Sequence, residues 1–557
     1  MSGINAQEFV DELVFCLKEE DVEKAKALRQ FASDSDVDAN VQRKALIELA
    51  KGPERVVFPL LEYLIKVEIS DPKIQESLYD LILDKSYGNT DLVIKYITDN
   101  EKKARLLFLK AAGDLQLTET VPNLTQILES DTDKDILVAA VTALGALRQP
   151  ESLPVFSRLT GNPDMEVKAA AIFAIAETGG NAAADQLVGF IGENEEINKL
   201  TVEALAEIQD LYALDKLASL LSSSSTIVRD TAIDQLMKLG NKATPILTKA
   251  FQNAEADYLV HLVTTLGYIG DPAAIAPILD IVNTQPEDAN IRQAAYEAME
   301  RIPSPKTAIS LVQGLQDPVE SVRMSAARAI DQNLSKVLVA GLRNVVREGS
   351  DDAKNAVAAL IDSDASNIFN FLVEEESFMA LAEPHILEKA DPETRKAFLK
   401  HMEGIGQKEF AQAVSDKAAD KGEPESSETK IFVVDDSKMM LKLYQNKLLA
   451  KGVKPVVFDK PEDAIPEILA QKPDLVITDL NMPNISGLEL TREVRRKFTR
   501  QDLPVLMITT QSDFVEEDDT DVKIDDTVLT KSGINKILHK PFKDEDFYAA
   551  IEGFISL

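Results

Sequence analysis

Apolar residues recur at helical spacing over most of the chain, and the pattern itself returns about every 31 residues. Segments 141–156 (VTALGALRQPESLPVF) and 264–279 (TTLGYIGDPAAIAPIL) share it. One apolar helix position recurs eleven times, at residues spaced 30 to 33 apart that we call the repeat marks. They are Leu49, Leu81, Ala112, Leu144, Ile175, Leu205, Leu236, Leu266, Met299, Ile330 and Leu360. A single helix pair cannot bury its apolar face alone, so the pattern predicts stacked helix pairs.

Turn-forming residues separate the predicted helices, as at 162–164 (Asn-Pro-Asp) and 270–272 (Gly-Asp-Pro). Within the helices, small residues such as the alanines at 169–171 leave room for neighbouring helices to approach closely. The combination predicts an all-α solenoid with an extended concave surface, which suits the binding of another protein.

This repeat resembles the HEAT repeat, in the short bacterial form named after phycobilisome lyases. The resemblance covers residues 41–375. We predict that residues 1–40 form a helical N-terminal cap. Residues 376–420 are helical in pattern but out of register, and we predict a helical C-terminal cap there. Residues 421–429 (KGEPESSET) are polar and carry Gly and Pro, which predicts a linker.

The period changes after the linker, where short β-rich runs alternate with amphipathic helices. This alternation predicts a parallel sheet with helices on both faces, a doubly wound α/β domain whose site lies beyond the carboxyl ends of the strands. The predicted strands are 431–434, 455–458, 475–478, 505–509 and 536–539, and the predicted helices are 437–450, 461–471, 488–498, 526–533 and 543–555.

Polar residues with complementary chemistry follow these strands. Asp435 and Asp436 end the first strand, Asp479 the third, Thr509 the fourth and Lys540 the fifth. Crowded carboxylates repel one another and need a cation, and oxygen ligands suit a hard ion such as Mg²⁺. A lysine and a threonine nearby would hold the oxygens of a phosphoryl group, and a carboxylate can itself become an aspartyl phosphate.

Residues 430–557 resemble the receiver domain of bacterial two-component response regulators, which has a flavodoxin-like fold. The resemblance rests on VVDDS, DLVITDLNMPNISGLEL, VLMITT and HKPF. It implies that Asp479 is the phospho-acceptor and that Thr509 and Lys540 contact the phosphoryl group. It also implies an Mg²⁺ site and three structural residues. The metal ligands would be Asp435, Asp436, Asp479 and the backbone carbonyl of Asn481, and the structural residues Pro541, Pro483 and Gly487.

One position departs from the family pattern. An aromatic switch residue usually stands three residues before the lysine, and here that position is Ile537. This departure puts the usual coupling between the threonine and the aromatic residue in doubt.

Charge and cysteine usage exclude several classes of protein. The net charge is −34, of which residues 430–557, with 18 basic and 23 acidic residues, contribute −5. So acidic a chain is not expected to bind nucleic acid or an anionic membrane. Its single cysteine, Cys16, excludes a disulfide framework and a thiolate metal site within one chain. We expect a cytoplasmic protein.

Two hypotheses follow. In the first, a histidine kinase or phosphotransfer protein phosphorylates the receiver, which controls how the HEAT scaffold interacts with an unknown protein partner. In the second, the HEAT region is an enzyme or enzyme subunit, lyase-like, regulated by a degenerate receiver or merely linked to it. The first expects no enzyme activity beyond the receiver's own phosphorylation and dephosphorylation. Dimerisation through the receiver is open in both.

Overall fold

A computed structural model describes residues 6–28, 38–67, 69–192, 194–390, 392–419, 429–482, 484–509, 533–540 and 542–555. The chain divides into two compact units, Met1–Ala213 and Leu214–Leu557. Among the described residues, no helix combines the length and the apolar character needed to cross a bilayer.

The first unit is built from helices throughout its described residues. Side chains of Asp, Asn and Glu cap many of the helix N-termini, as Asp71 and Asp133 do by accepting backbone N–H groups. The helices are α1 (Ala6–Lys18), α2 (Val22–Ala27), α3 (Ala39–Ala50), α4 (Glu54–Lys66), α5 (Pro72–Ser86), α6 (Thr90–Ile97), α7 (Lys102–Asp114), α8 (Val121–Ser130), α9 (Lys134–Ala146), α10 (Leu153–Leu159), α11 (Met165–Thr178), α12 (Gly180–Val188) and α13 (Glu195–Ile208). Helix α14 (Leu211–Ser219) spans the division between the units.

The second unit continues the helix pairs and then changes to a mixed sheet and helix region. Its first helices are α15 (Thr226–Leu239), α16 (Thr244–Ala250), α17 (Ala256–Ile269), α18 (Ile275–Asn283), α19 (Ala289–Arg301), α20 (Ala308–Gly314), α21 (Glu320–Gln332), α22 (Lys336–Glu348), α23 (Asp351–Asp362), α24 (Ser366–Leu372), α25 (Glu376–Glu388), α26 (Pro392–Gly404) and α27 (Lys408–Ala419). The predicted C-terminal cap therefore contains α25 to α27.

The eleven repeat marks fall one on each odd-numbered helix from α3 to α23, and every one of them is at most 1% exposed. Within each unit, successive odd-numbered helices pack against one another. The 31-residue period therefore follows one buried position on the odd-numbered helix of each pair.

Small residues bring these helices close together. A Cβ atom added at Gly145 would lie 2.8 Å from the Cβ of Ala174, and one added at Gly267 would lie 3.1 Å from the Cα of Ala298. Glycine and alanine are required at such crossings because a larger side chain would force the helix backbones apart.

Five parallel strands form one sheet in the order β2-β1-β3-β4-β5. The strands are β1 (Ile431–Val434), β2 (Val456–Phe458), β3 (Leu475–Asp479), β4 (Val505–Thr509) and β5 (Lys536–His539). The helices are α28 (Lys438–Leu449), α29 (Pro461–Gln471), α30 (Gly487–Arg495) and α31 (Asp544–Glu552). The α/β prediction is confirmed, with strand and helix ends within a few residues of those expected; the helix expected at 526–533 lies almost entirely outside the described residues, as does the linker.

The sheet separates two apolar layers because alternate strand residues point to opposite faces. Ile431 and Val433 of β1 join one layer with α28 and α31. Phe432 and Val434 join the other with α29 and α30. Because all five strands are parallel, the polar residues at the carboxyl ends of β1, β3, β4 and β5 lie at one edge of the sheet.

Candidate functional site

The carboxyl edge of the sheet gathers the residues that sequence analysis singled out. Strands β1 and β3 are neighbours, with Val434 opposite Thr478, so Asp435 and Asp479 follow at adjacent positions. Both carboxylates are buried, at 1% and 7% exposure. Thr509 is also buried, and its carbonyl accepts a 2.6 Å hydrogen bond from the backbone N–H of Lys540. The edge therefore forms a single polar pocket.

Lys540 joins two of the carboxylates. Its Nζ lies 2.6 Å from Asp479 Oδ1 and 3.1 Å from Asp435 Oδ2. The remaining oxygens accept backbone hydrogen bonds, Asp435 Oδ1 from Ser437 at 2.9 Å and Asp479 Oδ2 from Asn481 at 2.8 Å. These contacts fix the orientation of the Asp479 carboxylate.

Burial and mutual repulsion make the ionised carboxylates of this pocket unfavourable. Burial raises the pKa of Asp435 well above its ordinary value; Lys540 opposes the shift, and the neighbouring carboxylates add to it. Burial also raises the pKa of Asp436, to about 6, against the opposing effect of Arg301. Burial alone would lower the pKa of Lys540, but Asp435 and Asp479 outweigh it and raise that pKa well above its ordinary value.

The structure describes two of the four remaining predicted residues, and they have different roles. Gly487 begins α30 beside the acceptor strand, and an added Cβ would lie 2.1 Å from the carbonyl oxygen of Asp479. Ile537 packs with Leu480 and other apolar residues beneath the edge, which gives this position a packing role. Pro483 and Pro541 lie outside the described residues.

Asp436 faces the repeat helices of the same unit. The hydroxyl of Tyr268 on α17 donates to Asp436 Oδ2, and Arg301 Nη2 on α19 lies 3.6 Å from the same oxygen. The Ser437 hydroxyl donates to Glu297 Oε1 at 2.9 Å. Sequence analysis missed Tyr268, Glu297 and Arg301. The available signal, a Glu and an Arg four residues apart on one helix, is common on helices that have no such role.

The pocket fits Mg²⁺ in the chemistry of its donors. Besides burial, the charge of Asp479 raises the pKa of both Asp435 and Asp436, and a divalent cation would relieve this repulsion in the oxygen-rich site. A cavity of about 90 Å³ lies between them and α17 and α19, which is room for several water molecules. In their present arrangement, however, the described residues contain no group of three or more His, Cys, Asp or Glu side chains poised around one ion position.

Comparisons with known proteins find two families in the chain. Residues 431–552 match the family model of the response regulator receiver domain, and four overlapping segments between residues 90 and 331 match HEAT repeats. A solved receiver domain from Clostridium thermocellum is 26% identical, over 23% of this chain and 94% of that chain, with a TM-score of 0.20. The receiver domain of a Pseudomonas aeruginosa sensor histidine kinase, solved with a magnesium ion in its active site cleft, is 20% identical over 23% of this chain and 98% of that chain, with a TM-score of 0.20.

A curated relative makes the assignment. The chemotaxis protein CheY homolog of Campylobacter jejuni is 33% identical over 117 residues, which are 20% of this chain and 82% of that protein. The chain therefore belongs to the response regulator family through its C-terminal receiver domain, which follows a region of HEAT repeats.

Proposed function

We propose that phosphorylation of Asp479 switches this response regulator, and that the switch controls the protein–protein interactions of its HEAT repeats. The observation that carries the proposal is the buried arrangement of Asp479, Lys540 and Asp435. A carboxylate oxygen held 2.6 Å from a lysine ammonium is oriented for attack on a phosphorus atom and has a cation beside it.

The reaction is a phosphoryl transfer to a carboxylate. An oxygen of Asp479 forms a bond to phosphorus while the bond from phosphorus to the donor breaks. The donor would be a phosphohistidine of a histidine kinase or phosphotransfer protein. Lys540 then pairs with the phosphoryl oxygens in place of a carboxylate, and the Thr509 hydroxyl lies at the same edge to bond them. Asp435, Asp436, Asp479 and the Asn481 carbonyl would hold Mg²⁺, which neutralises negative charge on the phosphoryl oxygens.

Intact mass spectrometry tests the proposal on the full chain. With Mg²⁺ and a small phosphodonor, we expect the wild type to gain one phosphoryl group and Asp479→Asn to gain none. Asp459→Asn is the matched control, because Asp459 is an exposed acid of the same domain whose recorded salt bridge, 3.9 Å to Lys438, lies outside the pocket. Uptake by Asp479→Asn, or failure of the wild type to bind beryllofluoride and to take up phosphate, would contradict the proposal.

A further inference from the structure

The repeats contact every segment of the phosphorylation pocket that carries a metal ligand or the lysine. Tyr268 and Arg301 contact the Asp436 carboxylate. Arg229 of α15 donates to the side chain of Asn481 at 3.1 Å, and Asn290 of α19 donates to the carbonyl of Lys540 at 3.2 Å. Three successive odd-numbered helices thus form one surface over the pocket.

A second group of contacts anchors the receiver next to this surface. Met324 of α21 is 1% exposed and packs in the same apolar layer as α28. Lys447 of α28 lies 3.0 Å from Glu320 of α21, and Asn446 donates to the carbonyl of Asp362 at 3.2 Å. The receiver is therefore seated on the repeats by both apolar and polar contacts.

Arg301 supplies a positive charge where the pocket needs one. Its guanidinium lies 4.7 Å from the centre of the Tyr268 ring and its side chain is 25% exposed. The 3.6 Å separation from Asp436 is longer than a hydrogen bond, so the attraction is electrostatic and without the bidentate geometry of a strong arginine–carboxylate pair. Another cation can therefore replace the guanidinium of Arg301 beside Asp436.

The Asp436 carboxylate cannot keep its contacts with the repeats and bind a divalent cation through the same oxygen. Asp436 Oδ2 accepts the Tyr268 hydroxyl, and a divalent cation bound at that oxygen would displace this hydrogen bond and meet the positive charge of Arg301. Docking also places α17 and α19 in front of Asp479, where a phosphohistidine on another protein would have to approach.

We infer that the surface formed by Tyr268, Glu297 and Arg301 is a docking site for the receiver's own phosphorylation face, and that it competes with Mg²⁺ for Asp436. The inference rests on the proposed function and deepens it. Because linkage is reciprocal, Mg²⁺ and a phosphoryl group favour the undocked receiver, and docking weakens their binding by the same factor. Undocking uncovers both the phosphorylation face and this repeat surface.

Calorimetric titration of Mg²⁺ into the full chain tests the competition without any phosphorylation. We expect Arg301→Ala to bind Mg²⁺ about 5- to 150-fold more tightly than the wild type, the usual range of coupling between two sites. Tyr268→Phe keeps the ring and removes only the hydroxyl, and should tighten binding in the same direction by a smaller factor. Arg328→Ala is the matched control, since Arg328 has a similar exposure of 22% but pairs with Glu300 inside the repeats.

A distance measurement tests the docking directly. On a Cys16→Ser background, spin labels at the exposed positions Asn344→Cys in the repeats and Glu552→Cys in the receiver should report one distance without Mg²⁺. Mg²⁺ with beryllofluoride should shift it to longer or broader distances, and Arg301→Ala should show part of the shift without ligand.

The outcomes separate the two proposals. Two results would overturn the competition. One is unchanged or weaker Mg²⁺ binding in both Arg301→Ala and Tyr268→Phe. The other is a distance between the spin labels that does not change when Mg²⁺ and beryllofluoride are added. Phosphoryl uptake by Asp479 in that case leaves the proposed function standing. Tighter Mg²⁺ binding in the two variants supports the competition, and absence of uptake in Arg301→Ala would then count against the proposed function alone.

Discussion

Replacing Gly487 by alanine should damage the acceptor site through the backbone. The added Cβ would lie 2.1 Å from the carbonyl oxygen of Asp479 and 3.1 Å from the Cα of Leu480. Both contacts are to main-chain atoms, so no side chain can rotate away. The N–H of Gly487 also donates to the carbonyl of Leu480 at 2.9 Å, and a capping box of Ser486 and Glu489 fixes the start of α30.

Relief of this overlap requires a shift of roughly 1 Å, because a carbon and an oxygen atom rarely approach closer than about 3 Å. Overpacking of this kind costs about 1–3 kcal/mol of stability. The displaced group carries the Asp479 carboxylate, and a misplacement of about 1 Å can slow a reaction about 100-fold. We therefore expect Gly487→Ala to take up a phosphoryl group about two orders of magnitude more slowly than the wild type.

The assay is the time course of phosphoryl uptake by intact mass, paired with urea unfolding of the same samples. Gly553→Ala is the control, since a Cβ there meets nothing nearer than 3.6 Å and the residue has helical backbone angles. If Gly487→Ala matches Gly553→Ala in both rate and unfolding midpoint, the close approach does not position the acceptor.

Three other predictions concern stability. Lys540→Met should destabilise the receiver by about 3 kcal/mol in urea unfolding, because two buried carboxylates lose the cation that pairs with them. Lys536→Met, at an exposed position, should change the unfolding midpoint little, and equal midpoints for the two variants would refute the pairing argument. Gly145→Ala should lower the melting temperature of the first unit through overpacking of about 1–3 kcal/mol against a neighbouring helix. Gly161→Ala in the same unit should not, because an added Cβ there meets nothing nearer than 3.4 Å. Burial raises the pKa of Asp331, so the folded state holds the carboxyl proton more tightly than the unfolded state. The contribution of Asp331 to the free energy of unfolding therefore falls as the pH rises above about 4. The stability of Asp331→Asn relative to the wild type should increase from about pH 4 to pH 7, and a difference that does not change with pH would contradict this.

Local patterns in the sequence were sufficient for much of the fold. All eleven repeat marks are core positions, since burial depends on the face that a residue occupies on its own helix. The β-rich runs located all five strands. The basic residues of segment 491–500 do not by themselves distinguish a binding patch from a helix end. In the structure Arg495 donates to the carbonyls of Gly533 and Leu503, so this arginine has a structural role.

The candidate pocket was also predictable, for a topological reason. Residues that directly follow parallel strands meet at one edge of the sheet, so Asp435, Asp479 and Lys540 had to lie close together once the strands were located. The contacts of Asp436 with the repeat helices were not predictable in this way. Its partners Tyr268 and Arg301 lie more than 130 residues away and satisfy the ordinary pattern of a repeat helix.

The sequence by itself determined the helix pairs, the sheet and the chemistry of its edge, because each follows from the periodicity of a short segment or from the order of strands. Tertiary structure alone decided that α17 and α19 cover that edge. Such a contact depends on how two finished surfaces fit in shape and charge, and no local period records it. For Asp436, this placement decides whether the carboxylate faces an arginine of the repeats or is available to a metal ion.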